Sequence, residues 1–173
     1  MAISDQDHLR DRYQLVPRTL IFLTCGRQIL LIKGASNKRL WANLYNGLGG
    51  HVERGEDIFS AANRELQEET GIKNIALWLC GLITIDTGQP SGVGVYVFRG
   101  EVNKTPLTTS FEGDPEWVEF DQVYNLPLVE DLPLLLPHVL AHRRGDLPFS
   151  AHYQALPGLP LVAAFYGERN PLT

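Results

Sequence analysis

Between Gly49 and Ile72 the chain runs GGHVERGEDIFSAANRELQEETGI, and within it Glu65, Glu68 and Glu69 fall where an amphipathic helix buries apolar residues. Asp57 stands at the expected start of that helix and Gly71 just past its end as a left-handed terminator. With Ile58 at zero and about 100° per residue, Ala62, Leu66, Phe59 and Ala61 define an apolar face centred near about 40°. Glu69 then falls at about 20°, Glu65 at about 340° and Glu68 at about 280°, while Ser60, Asn63, Arg64, Gln67 and Thr70 take the other side. An unpaired buried carboxylate costs several kcal/mol, so three together must be protonated, paired or bound to cations. Arg64 can pair with Glu68 four residues on, but it cannot serve all three. Divalent cations can. An oxygen-only donor set points to Mg²⁺ or Mn²⁺ and away from zinc, and Mg²⁺ commonly bridges carboxylates to substrate phosphates. The expectation is a metal-dependent site for an anionic substrate, with phosphoryl chemistry.

The remaining sequence frames that helix. A chain of 173 residues with 44% hydrophobic content suits one globular domain. A net charge of −5 argues against a surface that holds a nucleic-acid polymer, so the expected partner is a small nucleotide. Cys25 and Cys80 lie far apart in apolar runs and are expected to be reduced. The charged start MAISDQDHLRDR and the absence of a long apolar run predict a cytoplasmic protein with no membrane association. Monomer and homodimer are equally compatible with it.

Residues 1–16 are expected to form a loose lead-in ending at Pro17, residues 17–155 the domain, and residues 156–173 a tail that adds an edge strand. RTLIFLTC and RQILLIKG predict a hairpin about Gly26, and residues 35–44 a loop. LYNGLGGHVE predicts a short strand feeding a tight glycine turn. NIALWLCGLITIDT, GVGVYVFRGEV and EWVEF predict strands, the last after an acidic turn, FEGDPE. Residues 129–144 predict a second amphipathic helix, with Pro133 in its first turn and Pro137 a kink. The expected class is α/β, with one helix set between hairpins.

From Gly50 to Ile72 the spacing of Gly50, Glu56, Arg64, Glu65, Leu66, Glu68, Glu69, Gly71 and Ile72 resembles the Nudix hydrolase signature at every defined position. The resemblance implies an α/β/α sandwich around a mixed sheet and hydrolysis of a diphosphate linkage in a nucleoside diphosphate attached to another group. It implies that Glu68 and Glu69 are principal metal ligands, with Glu65 a further ligand or the base, and the Gly49 carbonyl another ligand. Arg64 would orient the carboxylates, and Glu56 would brace the loop against the helix. Glu112, in FEGDPEW, resembles the late glutamate that many members use as an added ligand or base.

In finer pattern the chain is similar to the MutT-type 8-oxo-dGTP diphosphatases, which implies a purine nucleoside triphosphate substrate. By that likeness Thr19, Asn46, Glu130 and Asp131 would line the base pocket, where amide and acid side chains can read a purine edge. Val129 stands where one member of the subgroup carries an aromatic residue, so base stacking would be weaker or would fall to Tyr45, Trp41 or Trp117. The alternatives are nucleotide sugars or dinucleoside polyphosphates as substrates, or a sensor domain without turnover. His138 and His142, four apart without a third ligand, are expected to face solvent. His51, Lys33 and Lys38 are weighed as phosphate contacts, while His152 and Tyr153 suggest no role.

Overall fold

Strand β1 (Gln14–Cys25) turns through Gly26 and Arg27 into β2 (Gln28–Gly34), but the two pair only at Thr24–Ile29 and Cys25–Gln28 before they part. The computed structural model describes residues 12–37 and 40–166. After β2 come β3 (Tyr45–Asn46), helix α1 (Ile58–Thr70), β4 (Trp78–Asp86), β5 (Ser91–Glu101) and β6 (Gly113–Glu119). A single turn at Val123–Asn125, helix α2 (Leu132–Ala141), β7 (Phe149–Gln154) and β8 (Val162–Tyr166) complete the order. One sheet runs β3-β2-β1-β5-β4-β7-β8, with β6 on the other flank of β2. The pairs β1–β5 and β4–β7 are parallel and the others antiparallel, which makes the sheet mixed.

Alternation along β1 divides the core. Ile21 and Leu23 pack with Ala62 and Leu66 of α1, whereas Phe22 packs with Leu132, Leu135 and Leu136 of α2. The sheet is therefore covered by a helix on each face, an α/β/α sandwich.

Where β2 departs from β1, the glycine-rich segment takes its place. Ile21 and Leu48 exchange backbone hydrogen bonds of 2.7 and 3.1 Å, Thr19 N–H donates to Gly50 O at 2.8 Å, and Val52 N–H donates to Pro17 O at 3.1 Å. Helix α1 follows at once. Asp57 accepts from the N–H groups of Phe59 and Ser60, and Gly71 ends the helix at φ 77°. Such a side-chain cap stabilises by about 1 kcal/mol.

Several elements differ from expectation. β1 begins at Gln14, three residues before Pro17, because its first residues pair in parallel with Ser91, Gly92 and Val93. β6 begins inside the expected acidic turn, and Pro115 is tolerated there because β6 lies at an edge of the sheet, paired to β2 alone. α2 is shorter than residues 129–144; its last carbonyls, of Val139 and Leu140, accept from Arg99 Nη1, and the chain extends at His142. Thr70, placed outward on the wheel, is fully buried, since its carbonyl accepts from Thr108 N–H of a segment that crosses the helix end. His142 is 7% exposed between Trp78 Nε1 and Leu147 O, and His138 stacks on Phe165 at 3.8 Å, so neither histidine faces solvent. The aromatic residue that covers His138 lies on β8, whose pairing with β7 the helix pattern does not report.

Candidate active site

The helix wheel is realised in graded burial. Glu69 is 4% exposed, the Glu65 side chain 14% and the Glu68 side chain 57%, the order of their angles from the apolar face. Glu69 Oε2 accepts from Gly49 N–H at 2.7 Å, which ties the helix to the glycine segment. Glu65 lies so close under Gly50 that a Cβ there would meet its carboxyl carbon at 2.7 Å. Gly50 is glycine because of that approach.

Arg64 holds the rest. Its Nη2 donates to Glu56 Oε1 at 2.6 Å and to His51 O at 3.0 Å, and its Nη1 to Glu65 at 2.8 Å and Glu68 at 3.2 Å. The fork geometry of a guanidinium allows this, and an ammonium could not reproduce it. The Arg64 hydrogen bond, with a further one from Glu53 N–H, holds the Glu56 carboxyl below its usual range; Glu56 in turn raises Arg64. Glu56 thus closes the loop at residues 53–56 onto the helix.

Gly49, Gly50, Arg64, Glu65, Glu68 and Glu69 line one open cleft of about 420 Å³, together with Arg18, Ile32, Gly34, Trp41, Leu44, Asn46, Gly47 and His51. Five glutamates (Glu53, Glu65, Glu68, Glu69 and Glu112) stand in it against Arg18 and Arg64. The surplus of oxygen donors suits hard divalent cations. Among the described residues no cluster of three or more acids, histidines or cysteines already has the spacing of a closed metal cage.

Gly49, Glu65, Glu68, Glu69, Glu112, Arg64 and Asn46 are brought together here. Thr19, Glu130 and Asp131 do not line this cleft. Thr19 is 4% exposed and its hydroxyl lies 3.4 Å from Gly50 N–H. Glu130 Oε1 accepts from Leu161 N–H at 3.2 Å. Val129 N–H donates to Tyr45 O, so the acidic pair follows directly beyond β3, on the side of α2 and β7. Burial raises the Asp131 carboxyl above its usual range, and burial with the nearby Asp131 charge raises the Tyr153 hydroxyl. Lys33 sits over the Tyr45 ring, 5.9 Å from its centre, away from the cleft, and Lys38 lies outside the described residues. Arg18 is a cleft residue that sequence reasoning passed over; its only mark is the strand bridge that pairs it with His51.

A family model described as NUDIX domain matches residues 14–139. The chain is 32% identical over 138 residues to the oxidized purine nucleoside triphosphate hydrolase of Mus musculus, covering 79% of this chain and 84% of that one. It is 29% identical over 131 residues to the RNA pyrophosphohydrolase of Pelagibacter ubique, covering 66% of this chain and 81% of that one. The structure of the MutT protein from Bacillus halodurans superposes with a TM-score of 0.74 at 25% identity, covering 90% of this chain and all of that one.

Proposed function

The chain belongs to the Nudix family of hydrolases, and from that premise we propose that it cleaves purine nucleoside triphosphates, oxidised ones included, to nucleoside monophosphate and pyrophosphate. The observation that carries the reading is the single cleft in which the carboxylates of Glu65, Glu68, Glu69 and Glu112 meet Asn46 and an apolar wall of Ile32, Leu44 and Trp41. One end suits phosphates with cations and the other a base.

Members of the family work with divalent metal ions. In this cleft Glu65, Glu68, Glu69, Glu112 and the Gly49 carbonyl would hold Mg²⁺ or Mn²⁺. A bound ion supplies charge neutralisation at the phosphates and activates the attacking water. Arg64 keeps Glu65 and Glu68 in place, while Glu56 keeps Arg64 in place. Glu65 or Glu112 takes the proton of the water as its oxygen attacks phosphorus and the P–O bond to the leaving group breaks. Asn46 Oδ1 accepts from Gly47 N–H at 2.8 Å, which fixes the amide and leaves its NH₂ to donate to acceptors on a purine edge.

The likeness to a hydrolase of oxidized purine nucleoside triphosphates over most of both chains supports the substrate class. A panel of 8-oxo-dGTP, dGTP, dATP, ADP-ribose, a diadenosine polyphosphate and 5′-triphosphorylated RNA, each with Mg²⁺ or Mn²⁺, tests it. Pyrophosphate release from the free triphosphates is expected. Cleavage of ADP-ribose, the dinucleotide or RNA with triphosphates ignored would reject the proposed substrate and leave the hydrolase.

A further inference from the structure

We propose that Trp41 is the surface on which the substrate's nucleobase stacks. Three aromatic residues could serve near the cleft, and two are otherwise engaged. Tyr45 is 7% exposed, and its hydroxyl donates to Glu116 Oε2 at 2.7 Å. Trp117 packs against the core under α1, with its indole N–H enclosed and without a partner among the described residues. Trp41 is 47% exposed and lines the cleft beside Asn46, Ile32 and Leu44.

The backbone around Trp41 makes the choice of residue harder to explain on structural grounds alone. Its φ is 61°, in the left-handed region that glycine and asparagine tolerate and an aromatic residue rarely takes. A residue so placed carries strain while it leaves 47% of its surface exposed in the cleft, and such outliers gather at ligand sites. The turn that imposes it is tightly held. Gly34 N–H donates to Leu44 O at 3.0 Å, Asn43 N–H to Gly34 O at 2.9 Å, and Leu44 N–H to Trp41 O at 3.1 Å. The backbone of Trp41 and its neighbours Asn43 and Leu44 is thus bonded to the end of β2, which lowers the ordering that remains when a base arrives. Stacking accepts any base, so selectivity among purines is left to Asn46 and its neighbours.

The inference rests on the nucleotide-hydrolase reading of this cleft, but not on the triphosphate. GMP is therefore the probe, because hydrolysis of any guanosine diphosphate linkage leaves it, and ribose 5-phosphate is the same sugar phosphate without a base. Calorimetry with Mg²⁺ is expected to show that the parent binds GMP more tightly than ribose 5-phosphate. Trp41→Ala is expected to weaken GMP by at least about fivefold and to leave ribose 5-phosphate unchanged. Trp41→Phe is expected to recover most of the affinity while losing most of the tryptophan quenching that GMP causes in the parent. Equal affinity of the parent for both ligands, an equal loss of both in Trp41→Ala, GMP binding unaffected by Trp41→Ala, or full quenching in Trp41→Phe would each overturn the proposal. Failure of the triphosphate reading is distinct from these: it is GMP binding through Trp41 in a protein that rejects every triphosphate of the panel.

Discussion

Gly50→Ala separates the chemistry of the cleft from the stability of the fold. A Cβ on Gly50 would lie within 3.0 Å of the Glu65 carboxylate, 2.7 Å from its carbon and 2.8 Å from Oε2. Restoring ordinary contact requires the carboxylate to retreat by about 1 Å, which a side-chain rotation can supply. A displacement of that size in a catalytic group costs roughly 100-fold in rate. The fold loses much less. Arg64 keeps Glu56 and His51 O, and the partly buried Arg64–Glu65 contact is lengthened and not removed, at a cost of about 1 kcal/mol. Gly49→Ala is the contrast, because its φ is 131° and its Cβ would strike the backbone carbonyl of Thr19. Relief there must pull the segment off β1 and break the bonds from Thr19 to Gly50 and between Ile21 and Leu48, at a cost of about 3 kcal/mol. Steady-state kinetics with the best substrate of the panel, paired with thermal unfolding, gives both readings. Gly50→Ala should lose about two orders of magnitude in kcat with a melting temperature lower by only about 2–4 °C. Gly49→Ala should melt far lower. Parental kcat in Gly50→Ala, or a loss no larger than its fall in folded fraction, would refute the placement of Glu65 at the reacting centre.

Glu68→Gln and Glu69→Gln should each lower turnover by orders of magnitude without unfolding the protein, since a glutamine at 69 can still accept from Gly49 N–H. Mg²⁺ should raise the melting temperature of the parent more than that of either variant, and calorimetry that finds no divalent-ion uptake, with or without nucleotide, would end the cation reading. Because burial raises the Asp131 carboxyl, the folded protein holds its proton more tightly than the unfolded chain does. That group therefore favours folding in acid and loses its contribution as pH rises from the ordinary carboxylate range through the raised value. Asp131→Asn should stabilise the protein at neutral pH and not in acid, as thermal unfolding at both will read. Glu56 has the opposite sign: Arg64 depresses its carboxyl, so its support is present above the ordinary carboxylate range and disappears as pH falls through the depressed value. Arg64→Lys should flatten that acid limb in the same pH series.

What the sequence disclosed follows the range of its signals. The α1 helix, its caps and the inward turn of Glu65 and Glu69 are local consequences of periodicity and of Asp57 and Gly71, and all are present. The departures are made at a distance. Thr70 is buried by Thr108, His138 by Phe165, and the end of α2 is set by Arg99 on β5. No helical or strand period encodes such contacts. For the same reason the likeness that grouped Thr19, Asn46, Glu130 and Asp131 could name residue types but not where they point. Thr19 and Asn46 lie on neighbouring segments of the sheet, yet the threonine hydroxyl turns to Gly50 while the asparagine lines the cleft.

The crowding of acids at one end of α1 is therefore held by two kinds of contact with different consequences. Glu56, Glu65 and Glu68 share Arg64, and Glu69 grips the N–H of Gly49, so the loop and the helix are locked at the positions that approach the cleft. A single guanidinium divided among three carboxylates can position them but cannot neutralise them. Arg18 is the other arginine among the described residues that line the cleft, and two arginines stand there with five glutamates, an excess of negative charge among those residues. Full pairing would have made the fold more stable and the cleft inert toward cations. Under the proposed function, an excess of carboxylates at a partly open place gives up stability for a site that ion and phosphate would complete together.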